Sequence, residues 1–135
     1  MKITRFEDWQ AWQQAWVLAN LVYDATDQGN FARDFKLRDQ IRGAAGPVMH
    51  SCAEGFDAGF DNEFVVFLKY ARRSASEIQS QIYLALDRKY VDESAFKQIY
   101  DKATEAKKII NALIAYLRRS RQGKKPAQSI WLSDY

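Results

Sequence analysis

Apolar or small side chains fall at Phe64, Leu68, Ala71, Ala75, Ile78, Ile82 and Ala85, in steps that alternate four and three. That alternation keeps one stripe of a helix turned towards a partner helix. No Gly or Pro interrupts residues 64–87, and Asp61, with Glu63 in the first turn, predicts the N-cap. The cleanest heptad in the chain follows: Phe96, Ile99, Ala103, Ala106, Ile110, Leu113 and Leu117, with Ile109, Ala112 and Tyr116 as a second stripe beside it. Asp92 or Ser94 can cap this helix, which the pattern carries to about residue 120. Near the start, Glu7 to Thr26 reads as a helix whose stripe is Trp9, Trp12, Trp16, Ala19 and Tyr23, widened by Leu18, Leu21 and Val22. Asp27-Gln28-Gly29-Asn30 ends it, with Gly29 or Asn30 able to take the left-handed cap.

The remaining helix begins near Phe31 to Asp34 and runs to about Phe56. Pro47 removes a backbone donor there and its ring presses on the carbonyl of Gly43, while Gly43 and Gly46 soften the same turn. A kink or a one-turn break near residues 44–47 is expected, with helix resuming through Glu54. Four amphipathic helices joined by short connections predict an all-α fold, an antiparallel up-down-up-down four-helix bundle whose second helix is kinked near Pro47. Residues 1–121 form one domain and 122–135 a C-terminal tail that carries Gly123 and Pro126 and ends in Ile130-Trp131-Leu132.

One stripe per helix is enough for a bundle that stands alone, yet the first and fourth helices carry roughly two each. Surplus apolar surface marks an association site, and closed symmetric assemblies are the simplest way to cover it. The expectation is a homo-oligomer with Trp9, Trp12, Trp16, Ile109 and Tyr116 at the interface, and Trp131 docked in a groove between subunits.

Length and composition narrow the class without naming a function. At 135 residues the chain can bury a core without disulfides. A single cysteine, Cys52, cannot staple it, so a reducing, cytoplasmic setting is expected. No run approaches the roughly 18–20 apolar residues of a membrane span, and MKITRFEDW lacks the apolar core of a secretory signal. No membrane association is expected.

Catalytic chemistry has little to work with. His50 and Cys52 are two apart, so a helix points them about 200° away from each other and they form no nucleophile–base pair. The one His has Glu54 four residues on, and no Glu-x-x-His motif is present, so no metal and no cofactor is expected. The glycines lack the lysine and spacing of a phosphate loop, and no small-molecule substrate is evident. Glu54 and Glu77 sit in apolar sequence surroundings on adjacent helices. Two buried acids could move protons; pairing with Arg42, Arg72 or Arg73, or capping backbone donors at the Gly55 turn, is the structural alternative.

Gln40-Ile41-Arg42-Gly43-Ala44-Ala45 leading into Ala53-Glu54-Gly55-Phe56 resembles the signature of the 23S rRNA intervening-sequence proteins, a bacterial four-helix-bundle family. Glu63-Phe64, Phe67 to Arg72, Ser74 and Glu77 to Gln81 resemble that family's third helix, and Phe6-Glu7-Asp8-Trp9-Gln10 its start. Three positions depart from the pattern: Gly43 stands where a second Arg is usual, Ser51 where an Asn is usual, and Pro47 where relatives often carry Ser. The resemblance implies a non-enzymatic antiparallel bundle assembled as a ring-like homopentamer, with Gln40, Arg42, Ser51, Glu54, Gly55, Arg72, Ser74 and Glu77 as structural motif residues. One relative, the accessory protein of diversity-generating retroelements, binds nucleic acid through a basic surface.

Charge points the same way. Residues 97–125 hold nine cations against two acids, a net +7, within a chain of +3 overall. Lys107, Lys108, Arg118, Arg119, Arg121, Lys124 and Lys125 are the candidate contacts for RNA or DNA phosphates. Cations at a helix C-terminus also complement its dipole, and no aromatic platform for single strands is evident beside them. The alternative is a structural or protein-interaction oligomer with no nucleic-acid role.

Overall fold

The structure, a computed structural model, describes residues 3–59, 62–122 and 135. Those residues form a 3-10 turn at Phe6–Asp8 and five α-helices: α1 Gln10–Thr26, α2 Gly29–Arg33, α3 Phe35–Ala58, α4 Asn62–Asp87 and α5 Glu93–Gln122. No strand occurs among them. The fold is all-α and bundle-like: α1 packs on α3 and α5, and α4 packs on α3 and α5, so the four long helices stand in cyclic order around two buried hydrophobic clusters.

Local chemistry explains the boundaries. Thr26 closes α1 by donating its hydroxyl to the carbonyl of Val22 at 2.8 Å, and Gly29 takes φ +55°, the left-handed conformation expected for this turn. The chain then makes α2, one short helix ahead of the expected second helix, and Asp34 starts α3 by accepting the Leu37 N–H on Oδ1 at 3.1 Å. α3 is continuous across Pro47, so the one-turn break expected there does not occur. α4 ends with Lys89 at φ 61°. The Tyr90 N–H donates to the Ala85 carbonyl at 2.9 Å and the Lys89 N–H to Leu86 at 3.0 Å, which satisfies the last carbonyls of the helix. Asp92 caps α5 by accepting the Ala95 N–H at 2.8 Å. The expected cap Asp61 lies outside the described residues.

Both predicted seams are core, except for Phe96 at the start of the α5 seam, which is half-buried. All seven α4 positions from Phe64 to Ala85 are buried, as are Ile99, Ala103, Ala106, Ile110, Leu113 and Leu117 of α5. α1 differs from expectation. Its buried face is Ala11, Ala15, Leu18, Ala19 and Val22, whereas Trp16 and Tyr23 are about half exposed, at 51% and 46%. Small residues let the α1 backbone approach its neighbours, so the bulkier indole and phenol are turned outwards.

Trp9 is a correction in the other direction. Expected at a subunit interface, it is buried just ahead of α1, its ring 5.7 Å from Phe56 and 5.4 Å from Phe64. It fills the end of the core where α3 and α4 meet. Trp12 is half-buried, between Phe6 at 5.3 Å and Trp16 at 5.4 Å.

Candidate nucleic-acid interface

Gln79 fixes how α4 and α5 face each other. Its side chain is buried, and its amide donates to the Thr104 hydroxyl at 2.8 Å and the Tyr100 carbonyl at 3.2 Å. Lys107 donates to Gln79 Oε1 at 2.7 Å and to the Ser76 hydroxyl at 3.1 Å. One turn further along, Arg72 donates to Asn111 Oδ1 at 2.7 Å. These contacts lay residues 64–76 of α4 beside residues 106–122 of α5.

Together the two segments hold Lys69, Arg72, Arg73, Lys107, Lys108, Arg118, Arg119 and Arg121, and no Asp or Glu. Lys69 lies one turn before Arg72 on α4. Lys108, Asn111 and Arg118 share a stripe on α5, at steps of three and seven. The cations therefore cluster on these segments of α4 and α5 at one end of the molecule, with Arg72 and Lys107 bridging the seam between them. Lys108, Arg118 and Arg119 are exposed, and among the described residues none of them meets a carboxylate. Lys107 is half-buried and committed to Gln79, so it anchors the seam more than it offers charge. Lys69 and Arg73 were missed by a count along one stretch of sequence; a search for acid-free segments within helices would have found them.

Lys124, Lys125 and Trp131 lie outside the described residues, as does the Arg121 side chain. Tyr135 is placed: its carbonyl oxygen accepts the Ala11 N–H at 2.6 Å and its ring lies 5.2 Å from that of Tyr116. Tyr116 and Ile109 are half-buried on the α1 side of α5. Burial, then the neighbouring Tyr135, hold the Tyr116 hydroxyl above its usual pKa.

The family-motif residues divide by role. The Arg42 guanidinium stacks 4.8 Å from the Tyr23 ring centroid, donates from Nε to the Thr26 hydroxyl at 2.7 Å and lies 3.9 Å from Asp27, tying α3 to the end of α1. Gly55 and Ser51 are buried, Ser74 is half-buried and Gln40 is exposed. Glu54 and Glu77 overturn the expectation of buried acids: both are exposed. Their apolar neighbours in sequence point inwards while the helical turn carries the carboxylates out, and Arg42, Arg72 and Arg73 have other partners.

His50 is exposed, and Cys52 is buried with its thiol pushed up to about 12 by desolvation. Among the described residues no cluster of His, Cys, Asp or Glu is placed to hold a metal. No described helix is long and apolar enough to cross a membrane.

The class this arrangement defines is an all-helical, bundle-like protein with a cationic seam between two of its long helices. Within that class, a family model for the 23S rRNA-intervening sequence protein matches residues 7–112, and the chain belongs to that family. No curated protein matches the chain. The match takes in Lys69, Arg72, Arg73, Lys107 and Lys108, while Arg118 and Arg119 lie beyond it.

Proposed function

We propose that the protein is a non-enzymatic, cytoplasmic homo-oligomer, a ring of five copies, that binds RNA or DNA non-specifically through the α4/α5 seam. The observation that carries the reading is the pair of facing helical segments with eight cations and no carboxylate. Phosphates would replace the missing counter-charges, and repetition around a ring would multiply the field. The family's name refers to a stretch within a ribosomal RNA gene and specifies no chemistry, so the charge pattern bears the weight.

Each copy is read as an antiparallel up-down-up-down bundle. Three cross-helix pairs support this: Arg72 with Asn111, Ser76 with Lys107 and Gln79 with Thr104, numbers rising on α4 as they fall on α5. Trp9 beside Phe56 and Thr26 beside Arg42 support it for α1 and α3. A bend of α3 at Pro47 belongs to the same reading, since no N–H is available there to bond Gly43. The ring is supported by large apolar side chains on the outside: Trp16, Val17 and Tyr23 on α1, and Val66, Tyr70 and Leu84 on α4. The non-enzymatic reading is supported by the buried, protonated Cys52 and the exposed, separated Glu54 and Glu77.

Light-scattering sizing and fluorescence anisotropy with labelled RNA and DNA test it. The expected results are a mass several times that of one chain and affinity that falls steeply with salt. R118E/R119E/R121E should weaken binding and flatten the salt slope. Absence of binding at low salt removes the nucleic-acid reading. The second reading, a protein-interaction oligomer, is favoured by the aromatic groove lined by Trp12, Trp16 and Val17 beside Arg5 and Glu7. It predicts a co-purifying protein and indifference to nucleic acid.

A further inference from the structure

The α4/α5 groove changes character along its length. Beyond Gln79 and Thr104, on the side away from the cations, Tyr83 of α4 meets Phe96 and Tyr100 of α5. The Tyr83 ring centroid is 4.9 Å from Phe96 and 5.6 Å from Tyr100, and Phe96 lies 5.5 Å from Tyr100 with their planes 28° apart. Tyr83 is 51% exposed, and half-buried Phe96 and Tyr100 line a surface groove together with Leu86, Lys97 and two acids, Glu93 and Asp101. Arg72 and Tyr83 are 11 residues apart on one helix, about 16 Å along its axis. A few nucleotides would bridge that distance.

We propose that this groove takes single-stranded RNA or DNA in preference to duplex, with phosphates on Lys69, Arg72, Lys108 and Arg118 and bases stacked on Tyr83, Phe96 and Tyr100. The proposal rests on the nucleic-acid reading above and adds strandedness to it. Every base offers a π-face to an aromatic ring, but a duplex keeps those faces stacked on each other, so only an unpaired strand can use the cluster. Between the two ends the Ser76 hydroxyl accepts from Lys107 and that of Thr104 from Gln79, and the neighbouring Glu77 and Glu105 are exposed. At the rings the sign reverses: Glu93 and Asp101 line the same groove, Asp101 paired with Lys97 at 2.8 Å, and Asp87 stands just beyond on α4. Those carboxylates repel a backbone that tries to continue, which sets the end of the track at the aromatic cluster.

The test is anisotropy at low salt with labelled oligo(dT) and oligo(U) of about 15 nucleotides and a duplex of equal length, a size suited to one groove. Single strands should bind more tightly than duplex, and the two homopolymers distinguish DNA from RNA. Y83L/Y100L should lower single-strand affinity about tenfold, with duplex affinity and salt slope unchanged, because stacking is lost and charge is not. Y83W should retain binding. K69E/R118E should weaken both substrates. If Y83L/Y100L leaves single-strand affinity within about twofold while K69E/R118E lowers it, strandedness is refuted and the charge reading survives. If the unaltered protein binds no oligonucleotide, the charge reading fails first and takes this proposal with it. Should Y83L/Y100L lose its helical circular dichroism, the exposed single substitution Y83L decides the same question.

Discussion

Gly55 of α3 lies so close to Phe64 of α4 that a Cβ at this position would come within 2.9 Å of the Phe64 ring and 3.2 Å of the Phe67 Cβ. The Phe64 ring is buried and has nowhere to withdraw, so the glycine is what lets α3 and α4 close on each other. Gly55→Ala should therefore destabilise the protein by about 1–3 kcal/mol, overpacking outweighing the gain in helix propensity. Gly43 lies on the same helix with nothing within 4 Å of an added Cβ. Gly43→Ala should stabilise by about 0.5–1 kcal/mol. Urea melts of the two variants decide the matter, and equal shifts in the same direction would refute the packing account.

Two tryptophans seven residues apart should behave oppositely. Trp9→Ala removes a buried indole from between Phe56 and Phe64 and should cost about 3–5 kcal/mol of stability. Trp16→Glu alters a half-exposed face and should leave the protomer folded while reducing the mass seen by sedimentation. If Trp16→Glu leaves the mass of an assembled wild type unchanged, the α1 aromatic face is not the contact between copies.

Tyr90 donates its hydroxyl to Asp34 Oδ2 at 2.9 Å, while Oδ1 of the same carboxylate caps α3. The Leu37 N–H first, and the Tyr90 hydroxyl second, hold the Asp34 carboxyl below its ordinary value. Its stabilising contribution is thus complete above the unfolded value near pH 4 and is lost as pH falls through the lowered folded one. The bond to Asp34 raises the Tyr90 pKa, so its contribution holds below about pH 10 and disappears as pH rises through the raised value. Thermal melts of wild type and Asp34→Asn across pH should differ at neutrality and converge in acid. A difference that persists at pH 2 would refute the assignment.

Cys52 should be inert to a thiol reagent in the native protein and react fully once denatured, because burial both shields it and pushes its pKa up to about 12. Stoichiometric labelling of folded protein within minutes would contradict its place in the core.

The sequence by itself determined the helix positions and the buried stripes of α4 and α5, because an unbroken period of three and four runs the length of each helix and the second stripe on α5 is shorter. It also narrowed the turn residues to Gly29 or Asn30 and to Asp92 or Ser94, whose chemistry is local, and the structure uses Gly29 and Asp92. On α1 the same logic placed Leu18, Ala19 and Val22 in the core but put Trp16 and Tyr23 with them, and those two are half exposed. Trp9, Trp12, Trp16 and Tyr23 repeat as regularly as Ala11, Ala15, Leu18 and Val22, and periodicity ranks hydrophobicity without knowing how much room a neighbour leaves. The space between α3 and α5 admits alanines and turns indoles outwards, a decision made only when three helices meet.

The α4 half of the cationic cluster and the aromatic cluster were likewise invisible along the chain. Lys69 and Lys108 are 39 residues apart, and Tyr83 and Tyr100 are 17 apart. Only the Gln79–Thr104 and Arg72–Asn111 contacts bring their helices into one register. Burial of Glu54 and Glu77 failed as an expectation for a related reason: neighbours in sequence share a helix, but the angle around it, set by packing, decides which of them meets water.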